Sequence, residues 1–212
     1  MANTNLPYWG IKPLSMTKAR ESCMIFPITN NYGTALYQTD PALAVTAGRI
    51  ERGSTTGAWL GVILGLYRQE TPNSIRTEHM LPVQYIAATP GATYEYFALV
   101  TIDPFLLFTM QEDGLVSSLS QANNWGACDA SFGLGGSTVT GLSGCLIDSS
   151  TIDATATRPL QLISPLANYF DVDVGAYNNV PVSATTALNY GKWIVRIFNH
   201  QMGSGSLAVA FA

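Results

Sequence analysis

Charge is scarce in this sequence. Only 11% of its 212 residues are Asp, Glu, Lys or Arg, against roughly 25% in a typical soluble protein. Lysine occurs only at Lys12, Lys18 and Lys192. A surface this poor in charge meets water through Ser, Thr, Asn and Gln, or is covered by partners, and low charge is a solubility liability for a free monomer. Net charge is −4. Without clustered Lys and Arg to neutralise phosphates, that balance argues against a nucleic-acid partner.

Cysteine is nearly as scarce. Cys23, Cys128 and Cys145 form an odd set without C-x-x-C spacing, which disfavours a zinc site and a disulfide framework and predicts buried free thiols. No stretch of 18 apolar residues is present, so no helical membrane span is expected. The opening MANTNLPYWGIKPL lacks a charged region followed by an apolar run, the pattern of a secretory signal. A cytosol-like compartment is the expected place of synthesis. Between Thr77 and Thr157 there is no Lys or Arg at all, yet Glu78, Glu95, Asp103, Glu112, Asp113, Asp129, Asp148 and Asp153 are present. That run predicts a mildly acidic solvated face, or a surface complementary to a basic partner.

What the chain does have is strand pattern. Tyr32 to Tyr67 alternates apolar and polar side chains between Gly, Pro and Asp punctuation, the signature of antiparallel strands joined by tight turns. Gly61 and Gly65 interrupt the long apolar stretch Ala58 to Tyr67, marking a bulge or a close approach of two backbones. Further strands are expected at Cys23–Phe26, Leu81–Ala87, Thr93–Ile102, Phe105–Met110, Arg158–Ile163, Tyr169–Val174 and Lys192–Asn199. In the last of these Trp193, Val195 and Ile197 share one face. One short helix is predicted over Leu115–Trp125, from Leu115, Leu119 and Ala122 at helical spacing. Ser131 to Ser150 reads as loop. The fold class is all-β.

Three parts follow: an arm over 1–24, a β-rich body over 25–200, and a hinge with an apolar tail over 201–212. Pro7 and Pro13 remove amide donors from the first part, whose Tyr8 and Trp9 are candidate anchors on a neighbour and whose Lys12, Lys18 and Arg20 concentrate positive charge. The tail offers Leu207, Val209 and Phe211, and pairing with the sheet edge of a subunit is the expected use of such a segment.

Catalytic patterns are weak. Gly141-Leu142-Ser143-Gly144-Cys145 places its second glycine one residue early for a nucleophile elbow, which also needs a following helix and a late histidine such as His200. Gly133-Leu134-Gly135-Gly136 fits no phosphate-loop frame. Asp171-Val172-Asp173 resembles the start of a calcium loop but lacks its fifth-position and closing carboxylates, leaving Asn178 or Asn179 to complete an irregular site. Glu112-Asp113 reads as a turn, and His79 and His200 stand apart. No catalytic residue, metal or cofactor is expected.

A set of short segments carries a resemblance. MIFPITNNYGTALYQTDP, GRIERG, GAWLGVILG, FTMQEDG, TGLSGCLIDSST, RPLQLIS and KWIVRIFNHQ occur in order over residues 24 to 201, and this series resembles the tailed-bacteriophage capsid decoration, or cement, proteins. The resemblance implies an antiparallel β-barrel or jelly-roll-like sandwich with extended terminal arms and at most one short helix. It implies a structural virion protein, commonly a homotrimer, made in the host cytoplasm. Such a protein sits on the capsid exterior at capsomer junctions, with the major capsid protein as partner. The family supplies no catalytic residue, and Gly203 to Ala212 lies beyond the matched segments. The other reading is a head-fibre or tail receptor-binding module whose Tyr- and Trp-bearing loops contact host glycans. A hydrolase built on Ser143 is the remaining class.

Overall fold

The computed structural model describes residues 6–69, 80–90, 93–114, 119–153, 157–166, 170–171, 176–177 and 190–203. Strands dominate. In chain order they are β1 (Lys12–Pro13), β2 (Cys23–Pro27), β3 (Leu36–Tyr37), β4 (Pro41–Ala44), β5 (Ile50–Arg52), β6 (Gly61–Gln69), β7 (Met80–Val83) and β8 (Tyr85–Ile86). The second half contributes β9 (Glu95–Thr101), β10 (Leu107–Gln111), β11 (Ala127–Cys128), β12 (Ala130–Ser131), β13 (Leu146–Ile147), β14 (Leu160–Pro165), β15 (Phe170–Asp171), β16 (Ala176–Tyr177) and β17 (Lys192–Ile197). The α-helix among the described residues is α1 (Met16–Glu21).

Two larger antiparallel sheets carry the architecture. One runs β1-β10-β17-β14-β11, and the other runs β2-β9-β6-β4-β5, with β7 also paired to β6. The second sheet curls until its edges meet, where Ile28 bridges Ile50 and the Thr29 amide donates to the Ile50 carbonyl at 3.1 Å. The result is an all-β body with a barrel-like curl in one sheet.

β6 explains why that body is stable. Val62 and Leu64 point into a core shared with the five-stranded sheet, built on Trp59, Phe108, Met110, Leu162, Trp193 and Val195. Ile63 and Leu66 point into a second core inside the curl, with Ile28, Ile50, Ala98 and Val100. A strand buried on both faces reads as a continuous apolar run, which is what VILGL is. Its alternation breaks where the register with β9 shifts between Ile63 and Gly65. Gly61 is a close approach: a Cβ there would sit 1.6 Å from the Thr101 carbonyl oxygen. Both glycines therefore hold the roles their position in a strand pattern predicts.

Two expectations need correcting. The segment expected as an arm is, from residue 9, part of the body. Trp9 and Ile11 are buried, β1 pairs with β10, and Ala19 on α1 enters the larger core. Ser15 caps α1 by accepting from the Lys18 amide at 3.5 Å, a start signal that the prolines around it obscure. The helix expected over Leu115–Trp125 is also absent from its described part. Residues 115–118 lie outside the described residues, and Gln121–Asn123 forms a single 3-10 turn. The Leu119 amide donates to the Glu112 carboxylate at 2.9 Å instead of entering a helix. Asn123 Oδ1 accepts from the Ser120 amide at 2.8 Å, and Trp125 has a positive φ of 69°. Local capping thus outcompetes three apolar residues at helical spacing.

Candidate interaction surface

The residues expected to touch partners are placed unequally. Trp9 is buried in its own chain, with the Lys12 ammonium 3.9 Å from the ring centroid and that of Lys192 at 5.6 Å. That geometry uses the indole as a cation-binding face within the fold, so Trp9 and Lys12 serve internal packing. Tyr8 remains exposed. Leu207, Val209 and Phe211 lie outside the described residues, as do Asp173, Asn178 and Asn179; Asp171 is the second residue of β15.

Lys18 and Arg20 do reach solvent, on the outer side of α1. The helix is pinned at both ends. The Leu14 amide donates to the Leu107 carbonyl at 2.9 Å before it, and the Ser22 hydroxyl donates to the Ala19 carbonyl at 3.1 Å after it. With Ala19 turned inward, Met16, Lys18 and Arg20 face out. Across from Lys18 is the turn between β9 and β10, held by Asp103 Oδ1 accepting from the Phe105 amide at 2.8 Å. That turn projects Phe105 to 81% exposure. Between helix and turn lies a cleft of about 270 Å³ lined chiefly by Leu14, Lys18, Asp103, Phe105 and Leu107. Leu14 and Met16 are also exposed. Exposed apolar side chains grouped in this way mark interaction sites more often than scattered ones do.

The sequence hid this surface for a specific reason. Phe105 was expected inside a strand, whereas the strand begins at Leu107 and the Asp103-Pro104 turn carries Phe105 outward. An aromatic residue immediately after Asp-Pro was the available signal.

The groups with catalytic chemistry are built into the interior. Ser143 is fully buried; its hydroxyl donates to Asp40 Oδ1 and accepts from the Cys145 amide at 3.0 Å. Asp40 Oδ2 accepts from the Tyr37 amide at 2.8 Å, and burial pushes the Asp40 carboxyl up to about 6, against those hydrogen bonds. His200 lies elsewhere, bridged to Trp59, with Nδ1 accepting from the Met202 amide at 3.0 Å and its imidazole pushed down by burial. Ser143 therefore ties the turn before β4 to the chain before β13.

Glu112 and Asp113, members of the run expected to form a solvated acidic face, are also buried. Glu112 accepts from the amides of Leu119 and Gly191, each at 2.9 Å, and burial raises its carboxyl to about 8. Asp113 accepts from the Ser149 hydroxyl at 2.7 Å. The acidic run is thus not one solvated face, since Glu112, Asp113 and Asp129 are inside. Arg158, the first cation after it, pairs with Asp129 and, in bidentate fashion, with Asp153. The three cysteines are free thiols; burial raises all three, and Cys128 and Cys145 are wholly inside. Among the described residues no cluster of His, Cys, Asp and Glu is arranged to hold a metal ion, and no helix is long and apolar enough to cross a membrane.

No protein-family model matches the chain, and neither a curated protein nor a solved structure is similar to it.

Proposed function

We propose that the protein is a structural component of a phage virion, a decoration protein that binds the outside of the head at capsomer junctions and braces the shell. The observation that carries this reading is the cleft lined by exposed Leu14 and Phe105 together with Lys18, next to a short helix that also exposes Met16 and Arg20. The surface combines apolar anchors with two cations on a protein that otherwise has few. The ordered resemblance over residues 24 to 201 supplies the class of partner, the major capsid protein. A homotrimer would multiply a modest contact of this size into firm attachment through effective concentration. The test is reconstitution: heads lacking the protein are mixed with purified protein and its copies per particle counted. Stoichiometric, saturable binding at capsomer junctions is expected, and binding confined to one vertex or to the tail overturns the assignment.

A second reading has its own observation. Trp125 is 65% exposed in a turn with positive φ, next to Asn123 and Asn124. An exposed indole flanked by amides suits stacking on a sugar face, as a receptor-binding module would require. Binding of host glycans that Trp125→Ala abolishes would favour that alternative.

A further inference from the structure

β2 is an edge strand with a short uncovered window. From Ile28 onward the edge meets β5, because Ile28 bridges Ile50, the Thr29 amide donates to the Ile50 carbonyl, and Arg49 Nη1 donates to the Ile28 carbonyl at 2.7 Å. Toward Cys23 no strand lies on the outer side of β2 among the described residues. The Ile28 amide donates to the Tyr96 carbonyl, and the Ile102 amide to that of Ser22. Hydrogen-bonded pairs alternate along an antiparallel ladder, so Met24 and Phe26 bond β9 while the N–H and C=O of Cys23 and Ile25 point away from it. Met24 and Ile25 are 51% and 44% exposed. The usual protections of an edge are missing, since the register with β9 runs without a bulge and neither a charge nor a proline falls between Cys23 and Phe26.

The free groups of that window complement themselves about a twofold axis. Two copies of β2 laid antiparallel, with Met24 facing Met24, put the Cys23 of each opposite the Ile25 of the other. Both become hydrogen-bonded pairs, and every outward N–H and C=O of the window is used. Centring on Ile25 instead would set Cys23 against Pro27, which has no N–H to give and adjoins the end already covered by β5. The Met24 register also carries charge to charge. It brings Ser22 of one copy opposite Phe26 of the other, and Glu21 beside Pro27 and Ile28, where Arg49 is anchored. Glu21 is exposed and has no ion pair among the described residues.

We propose that β2 is a contact between two copies of this chain, joined edge to edge and antiparallel about Met24. A second copy fits better than a foreign strand because one window supplies both halves of the hydrogen-bond pattern and both halves of the Glu21–Arg49 charge pair. The pairing covers Met24 and Ile25, and it joins subunits in twos whatever number other surfaces gather. It does not rest on the proposed attachment to a phage head.

Symmetric cross-linking tests the register. Met24→Cys and Ile25→Cys are each made together with Cys23→Ser, and the purified full-length chains are oxidised and run on a non-reducing gel. Residues that face each other in a non-hydrogen-bonded pair have Cα atoms about 4.5 Å apart, within the span of a disulfide. The two Ile25 positions are diagonal neighbours about 7–8 Å apart, beyond that span. Met24→Cys is therefore expected to form covalent dimer at least tenfold faster than Ile25→Cys, although both positions are exposed. Met24→Lys sets two ammonium groups face to face, and its sedimentation coefficient is expected to fall below that of the parent at equal concentration, with the melting temperature unchanged. Equal cross-linking rates in the two cysteine variants, as an edge covered by a foreign strand or by this chain itself would give, overturn the proposal. So does a Met24→Lys variant that sediments like the parent.

Discussion

The Ser143 hydroxyl donates a hydrogen bond to the Asp40 carboxylate across 103 positions of sequence, with both side chains wholly withdrawn from water. Ser143→Ala removes that donor and leaves a buried carboxylate with fewer partners, a change that costs about 1–3 kcal/mol. Urea unfolding is expected to show a loss of that size at pH 7. It should shrink below pH 4, where Asp40 is protonated in folded and unfolded chains alike. An unchanged midpoint at pH 7 would mean that the pair contributes nothing to stability.

Glu112 makes stability fall as pH rises. Its carboxyl is raised from 4.5 to about 8 by burial, which outweighs the amides of Leu119 and Gly191 that favour the charged form. A folded-state value above the unfolded one means a contribution present in full below 4.5 and lost as pH climbs toward 8, at no more than about 1.4 kcal/mol per pH unit. Asp40, raised from 3.8 to about 6, adds to the acidic part of the same slope. The urea midpoint is therefore expected to decrease between pH 5 and pH 8. Glu112→Gln flattens the decrease, at lower stability at pH 5 because an amide nitrogen then faces a backbone N–H. A variant whose slope equals the parent's would assign the pH dependence to other groups.

Gly61→Ala forces a methyl group onto the Thr101 carbonyl oxygen, a backbone atom that no rotamer change can move. A destabilisation of about 3 kcal/mol, at the upper end for overpacking, is expected by thermal or urea unfolding. Gly33→Ala, where a Cβ meets no atom within 4 Å, is the matched control and is expected to stay within about 0.5 kcal/mol of the parent.

If the proposed attachment to phage heads runs through this cleft, Phe105→Asp combined with Lys18→Glu reduces head binding by tenfold or more while leaving the melting temperature near that of the parent, since both side chains are exposed. Point changes are the right tool here. Removing the first 22 residues would take Ile11 and Ala19 out of the core and β1 off its sheet, so loss of binding would then report unfolding. Retained full occupancy in the double variant would place the contact elsewhere.

Much of the fold was legible because it rests on short-range pattern. Two-residue alternation marked β17, and Trp193, Val195 and Ile197 do share the buried face. Gly61 and Gly65 marked the close approach and the register shift in β6. The helix expected over 115–125 is missing from its described part, 119–125, because apolar spacing says nothing of competitors. The carboxylate that takes the Leu119 amide belongs to Glu112, outside the segment being read.

Amino-acid order alone determined that the chain is all-β, poor in charge and equipped with unpaired thiols, since strand propensity, ionisable groups and cysteine spacing are local properties. Tertiary structure decided which of those groups face water. It turned Glu112, Asp113 and Ser143 inward, folded Trp9 under Lys12, and lifted Phe105 out of a stretch that reads as core. Burial is set by what packs on the far side of a residue, and that neighbour is usually brought from a distant part of the chain.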